Sequence, residues 1–380
     1  MDTSSEIIHA LLPIYLVSVL GASMLDVGFI EGIAEATASI TKVFSGALSD
    51  WLGKRKSLAV IGYGLAALSK PIFPLATSIS WLVAARFIDR LGKGIRGAPR
   101  DAMLADIAPA DLRGASFGLA QSLDTIGAFV GPALAIGLMW VTANNFQTTF
   151  WFAVIPAFLC VMLLVFGVHE PPRPRGLRQV RSPLSFDELR GLGQDYWWVV
   201  GVAVVFSIAR FSEAFLILRA QAEGLPLMFT PLVLVLMNVA YAFSAYPAGA
   251  LSDRVNRTSI LAVGFGFLIA ADLVFAFIGR LSSTAFGVVL WGLHMGFTQG
   301  LLASLVADTS PPELRGTAFG VFNLLTGAAA LVASVLAGAL WDHSGSQATF
   351  LASAFLTAVA LFALAAVRHV APHVGRVSKA

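Results

Sequence analysis

The chain has 380 residues, of which 57% are apolar and 12% charged, with a net charge of +3 and an isoelectric point near 9.2. Ordinary soluble domains run near half apolar and a quarter charged, so a water-soluble globule would have to expose the excess, and lipid is the solvent this composition fits. The single cysteine, Cys160, excludes an internal disulfide framework. With no phosphate-binding loop, no His/Cys cluster and no soluble stretch of domain size, the sequence argues against ATP hydrolysis, a metal centre or an enzyme.

Apolar stretches long enough to cross about 30 Å of hydrocarbon recur throughout. They fall at 3–22, 27–48, 57–77, 81–105, 114–140, 147–168, 196–219, 228–250, 258–279, 284–307, 316–341 and 347–368, about twelve helices in all. The Pro- and Arg-rich stretch 169–195 divides them six and six. The expected architecture is an all-α membrane protein: an N-terminal bundle over 1–168, a cytoplasmic linker over 169–195, and a C-terminal bundle over 196–380 with a short cytoplasmic tail. The first apolar run begins only at Ile7, so either the chain starts in the membrane–water interface or its natural N-terminus is longer. It opens with Asp2 and Glu6 and lacks the basic segment of a cleavable signal peptide.

Ionisable side chains inside such spans cost a few kcal/mol or more at the bilayer centre and therefore face a cavity or a partner. In the first helix Asp2, Glu6 and His9 share a face. Glu6 and His9, with Asp124, Glu213 and His294 of later helices, are candidates for exchanging protons, Glu6 and Glu213 foremost, whereas Asp2 fits interfacial water at a helix start. On the fourth helix Arg86, Asp89, Arg90, Lys93, Arg96 and Arg100 recur at helical spacing and draw one predominantly cationic face. Arg86, Asp89, Arg90 and Lys93 are candidates for holding substrate; Arg96 and Arg100, nearer the inner surface, suit structural pairs with Asp2 and Glu6. The fifth helix carries Asp124 and Gly127-x-x-x-Gly131-Pro132, in which small residues four apart permit close packing and the proline bends the span. The seventh adds Arg210 and Glu213, the latter level with Arg86 and Arg90, and the tenth adds His294 and Gln299. His294 reads first as a hydrogen-bonded packing histidine and only second as a coupling site, and each of these charges also has a purely structural reading as an ion pair. Lys42, Lys70, Asp124 and Asp272 lie off the first, fourth, seventh and tenth helices, and the two lysines sit near helix ends, where they can snorkel.

Lys and Arg in the connections set orientation. About fifteen fall in segments that are inside if the N-terminus is inside, against Arg219 and Arg280 outside. Both termini are therefore expected in the cytoplasm, with the protein in a bacterial inner membrane. The basic isoelectric point is a topology signal, so nucleic acid is not an expected partner; the bilayer and a small-molecule substrate are, and the expected state is a monomer.

Two segments recur. Gly46-Ala-Leu-Ser-Asp50 returns as Gly249-Ala-Leu-Ser-Asp253, and Asp106 to Gly118, with Arg113-Gly114, returns as Asp308 to Gly320, with Arg315-Gly316; the offsets are 203 and 202. Across the repeat Asp124 corresponds to Thr326, so the acid is not required by the duplicated architecture. Gly46-x-Leu48-x-Asp50-x-x-Gly53-Lys54-Arg55-x-x-Leu58 resembles the loop 2–3 motif of the major facilitator superfamily. The second copy matches it with Asn256 in the glycine position, a residue that tolerates left-handed backbone. The resemblance implies alternating access by two rocking halves, with helices 1, 4, 7 and 10 lining the path. Asp50 with Arg113, and Asp253 with Arg315, would be inside-gate contacts, or would simply fix loop shape. Gly127 to Pro132 resembles the Gly-Pro motif of proton-driven exporters, although Ala135 and Ile136 replace the usual trailing glycines and Asp89 stands where the exporters' fourth-helix motif has glutamine.

The expected function is proton-coupled export (antiport) of a small organic solute, with an anionic group to match the fourth-helix charge, powered by the proton gradient without a bound cofactor. Proton-coupled import of an organic acid or another nutrient is the alternative within transport. A non-transporting membrane sensor or partner protein is the alternative from another class.

Overall fold

The computed structural model describes residues 1–52, 54–107, 113–169, 189, 191–252, 255–311 and 314–370. Among them every regular element is helical: α1 (Asp2–Ser18), α2 (Met24–Leu52), α3 (Arg55–Ser69), α4 (Ile72–Leu75), α5 (Ile79–Ile107), α6 (Arg113–Val141), α7 (Phe146–Gly167), α8 (Gln194–Ala209), α9 (Ala214–Ala222), a 3-10 turn (Leu227–Phe229), α10 (Leu232–Ser252), α11 (Arg257–Phe277), α12 (Leu281–Thr309) and α13 (Arg315–Val370). Gly345, at φ +83°, breaks α13 into two arms. With α3 and α4 taken as one crossing, and α8 with α9 as another, the twelve expected segments are accounted for.

Eight stretches among the described residues are apolar and long enough to cross a membrane, and the one over 317–366 contains both arms of α13. The three crossings that fall short are α1, with 17 residues, and α2 and α5, which carry charge through their length.

Local chemistry sets the boundaries. Ser23 Oγ accepts from Asp26 N–H at 3.0 Å while Asp26 returns the bond to Ser23 N–H at 3.0 Å, a capping box that starts α2. Asn145 caps α7 by accepting from Thr148 N–H at 3.0 Å. Asn256 does the same for α11, accepting from Thr258 N–H at 2.9 Å. Its φ of −53° corrects the sequence expectation: asparagine stands in the glycine position as a helix cap, not for left-handed backbone.

The chain divides into two compact units, one comprising 1–22 and 33–183, the other 23–32 and 184–380. In the first, α1 packs on α6 and α7, with Ser4 Oγ donating to Ala153 O at 2.6 Å, and α3 packs on α5. The α1–α6 contact is made at Gly127 and Gly131: a methyl group at Gly131 would lie 2.5 Å from Glu6 Cβ, and one at Gly127 3.0 Å from Asp2 Cβ. In the second unit α12 packs on α10 and α11, and α8 lies along α13, where Tyr196 OH donates to Ala318 O at 2.8 Å.

Candidate functional site

In the first unit the α5 face is built around a buried acid. Asp89 is 2.7 Å from Lys70 Nζ, with side-chain exposures of 3% and 1%, and its second oxygen is 3.5 Å from Arg90 Nε. Lys70 also donates to Ser5 Oγ of α1 at 3.0 Å. This corrects the expectation for Lys70: it does not snorkel but is buried against the fourth-helix acid. Arg86 is likewise buried, at 1% exposure.

The rest of the same face, from Arg90 to Arg100, is more open. Arg90 Nη1 lies 3.8 Å from Glu35, a half-exposed residue of α2. Lys93 is exposed. Among the described residues it makes no ion pair, although Glu35 and Glu6 act on its charge from a greater distance. Further along, Arg96 contacts Asp2 at 3.3 Å and lies over the Tyr63 ring at 4.4 Å, a cation–π contact. Arg100 takes both Asp101 and Asp124 at 3.1 Å. The expected pairing of Arg96 with Asp2 is present; Glu6 instead contacts His9 Nδ1 at 3.2 Å, on the partly open side of α1.

The second unit has its own polar focus where the helix of 194–222 is interrupted. Arg210 is extended, at φ −89° and ψ 93°, so α8 ends there and α9 resumes after Glu213. Arg210 Nη2 donates to Glu213 Oε1 at 3.0 Å. The Gln299 amide of α12 lies 3.2 Å from both Nη1 and Nη2 of Arg210; since both nitrogens donate, the amide oxygen is the atom that faces them. Broken helices supply unpaired backbone groups to polar sites within a bilayer, and such breaks persist only where protein or a cavity satisfies them. His294 is apart from this group in character: it is fully buried and packs edge-on to Trp291, at 5.2 Å between ring centres, and to Phe206.

Gly53 and Asp253, with the side chains of Asp50, Arg113 and Arg315, lie outside the described residues, and so do both expected gate pairings. Of the same motif, Arg55 donates to Ala102 O at 2.6 Å, Gly46 lies against Ala98, and Gly249 faces open space. Pro132 sits inside α6. Three partners escaped sequence reasoning: Glu35, Lys70 for Asp89, and the Arg257–Asp308 ion pair. Glu35 was findable, being with Glu31 one of two acids inside the expected second span.

The family model described as the Major Facilitator Superfamily matches residues 1–334. An uncharacterized MFS-type transporter of Methanocaldococcus jannaschii is 32% identical over 367 residues, covering 94% of this chain and 89% of that protein. The probable galactarate/D-glucarate transporter GudP of Escherichia coli is 30% identical over 42% of this chain and 37% of its own. The quinolone resistance protein NorA of Staphylococcus aureus is 27% identical over 43% and 40%. A solved POT family transporter in complex with 5-aminolevulinic acid superposes with a TM-score of 0.81 over 99% of this chain and 94% of that one, at 13% identity, a likeness of fold.

Proposed function

The chain belongs to the Major Facilitator Superfamily, and from that premise we propose that it is a proton-coupled exporter of a small organic solute bearing an anionic group such as a carboxylate. A multi-pass membrane transporter with a small-molecule substrate is what the family provides; cargo charge, direction and coupling are the proposal. The observation that carries the anionic cargo is Lys93. Its neighbours on α5 are matched within the fold: Arg96 by Asp2, Arg100 by Asp101 and Asp124, and Arg90 by Asp89. Lys93 is exposed and makes no ion pair among the described residues, so an anionic solute would complete it. Arg210 with Gln299 offers a second donor set.

Glu6 and His9, in contact and partly exposed, are the groups best placed to carry a proton, and Asp124 and Glu213 are the further acids of the polar faces. The Gly127-to-Pro132 segment and the identity to NorA support export; the identity to GudP supports an organic acid and keeps proton-coupled import as the second reading. The orientation with both termini in the cytoplasm, the bacterial inner membrane, the absence of a cofactor and a monomeric state complete the proposal.

The test is uptake and counterflow in proteoliposomes with an imposed pH gradient, against a panel of organic anions and cations. An anion should be moved, and Lys93→Gln and Arg210→Gln should each weaken its apparent affinity by about tenfold, the loss of one interaction of roughly 1.4 kcal/mol. A cation as cargo, unaffected by either substitution, would sink the reading. The direction of proton-driven accumulation decides between export and import.

A further inference from the structure

α11 carries a single acidic side chain, Asp272, and it is fully buried. One carboxyl oxygen accepts from Ser353 Oγ of the second α13 arm at 2.6 Å; the other has no hydrogen-bond partner. Its surroundings are apolar: one turn on, Phe275 packs on Phe350 with ring centres 4.8 Å apart. Among the described residues, the titratable side chains of the elements packed on α11 make no hydrogen bond or ion pair with Asp272. His294 of α12 sits against Trp291 and Phe206. Asp342 of α13 binds Met24 and Leu25 N–H, and His343 lies beside it at the Gly345 turn. Tyr241 and Tyr246 of α10 make no bond to Asp272. Among the described residues no cation pairs with it.

The duplication makes this more than an isolated oddity. Gly62 of α3 packs against the α5 backbone at Arg96, and Gly264 of α11 packs against α12 at Thr298; 62 and 264, like 96 and 298, are 202 apart. At the same offset Asp272 stands where the first unit has Lys70. The one architectural position therefore holds a buried ionisable group in both halves. In the first unit Asp89 supplies the counter-charge at 2.7 Å. Trp291 occupies the position equivalent to Asp89, and it offers Asp272 no charge.

We propose that Asp272 is a proton-binding site, holding as a neutral carboxylic acid the counter-charge that its half of the fold does not supply. A bare carboxylate in a dry apolar interior, with one hydroxyl donor, is strongly disfavoured. A proton neutralises it without further ligands, whereas a sodium ion needs several oxygens and only the carboxyl and Ser353 are shown to meet here. On release the proton passes to water and leaves an anion that this packing cannot stabilise, so release requires α11 and the second α13 arm to part. The proposal is independent of what the protein carries and in which direction.

The test is infrared spectroscopy of the full-length protein in lipid, comparing wild type with Asp272→Asn. At neutral pH the wild type should show the carbonyl stretch of a protonated carboxylic acid, and the substitution should remove it while the melting temperature is kept, because asparagine mimics the neutral acid. If Asp272→Asn does not fold, Ser353→Ala serves instead: with its donor lost, the same band should shift. Identical spectra for wild type and folded variant, no shift in Ser353→Ala, or a carboxylate band that answers to sodium and not to pH, each overturn the proposal.

Discussion

Lys70 and Asp89 face each other with almost no water to share their charge. Removing one partner leaves the other buried and unbalanced, at a cost of about 3–5 kcal/mol, whereas replacing both with apolar side chains of similar size is close to neutral or stabilising. Asp89→Ala should therefore lower the melting temperature in detergent sharply, while Lys70→Met combined with Asp89→Leu should restore most of it. If the double variant melts no higher than Asp89→Ala, the pair does more than neutralise itself. That pairing was only half legible. Asp89 was recognisable as an intramembrane acid, but the position of Lys70 near a helix end made water look within reach of its long stem. Which neighbour closes over a side chain is decided by the contact of α1, α3 and α5, and no single helix's sequence encodes it. The same reason keeps Glu35 and the Glu6–His9 contact out of a one-dimensional account.

Helices as wholes were easier to read, because a crossing needs some twenty apolar residues and such runs are coarse features. Boundaries set by a cap or a break were harder. Nothing in Arg210-Phe-Ser-Glu213 is a helix breaker by composition, yet α8 stops there; the polar groups of Arg210, Glu213 and Gln299 hold the interruption. The Gly127-x-x-x-Gly131 spacing, by contrast, pointed to close packing, and α1 lies directly against it, with Asp2 and Glu6 carried at the contact. Side-chain atoms forced into such a crossing typically cost 1–3 kcal/mol. Gly131→Ala should lower stability by about that amount, and its effect should fall on α1 in particular, since the overlap is with Glu6 Cβ and Thr3 O. Hydrogen exchange resolved by segment checks this: faster exchange in α1 is expected, and a change confined to the far end of α6 would contradict it.

For the whole molecule the duplication organises the two units but does not make them copies. The first concentrates its ionisable groups in networks on the α5 face; the second spreads them in separate pairs, such as Arg210–Glu213, Arg219–Glu223 and Arg257–Asp308, and leaves Asp272 without a counter-charge among the described residues. Nor does the boundary between units follow the chain from half to half. α2 is a continuous helix, yet its opening, 23–32, belongs to the second unit and its remainder to the first. The opening is held by Asp342, whose two carboxyl oxygens accept from Met24 N–H at 3.0 Å and Leu25 N–H at 2.8 Å. Free N–H groups at a helix start carry partial positive charge, and a carboxylate placed there both satisfies and neutralises them. Loss of such a cap costs about 1 kcal/mol. Asp342→Ala should lower the melting temperature accordingly, and Asp342→Asn should cost less, since the amide oxygen still serves one of the two N–H groups. Equal losses for both variants would put the effect in the negative charge rather than in the acceptor. No loss for either would mean that the opening of α2 is held by the Ser23–Asp26 capping box and by its packing, at Gly28 against Ser334 and Gly338.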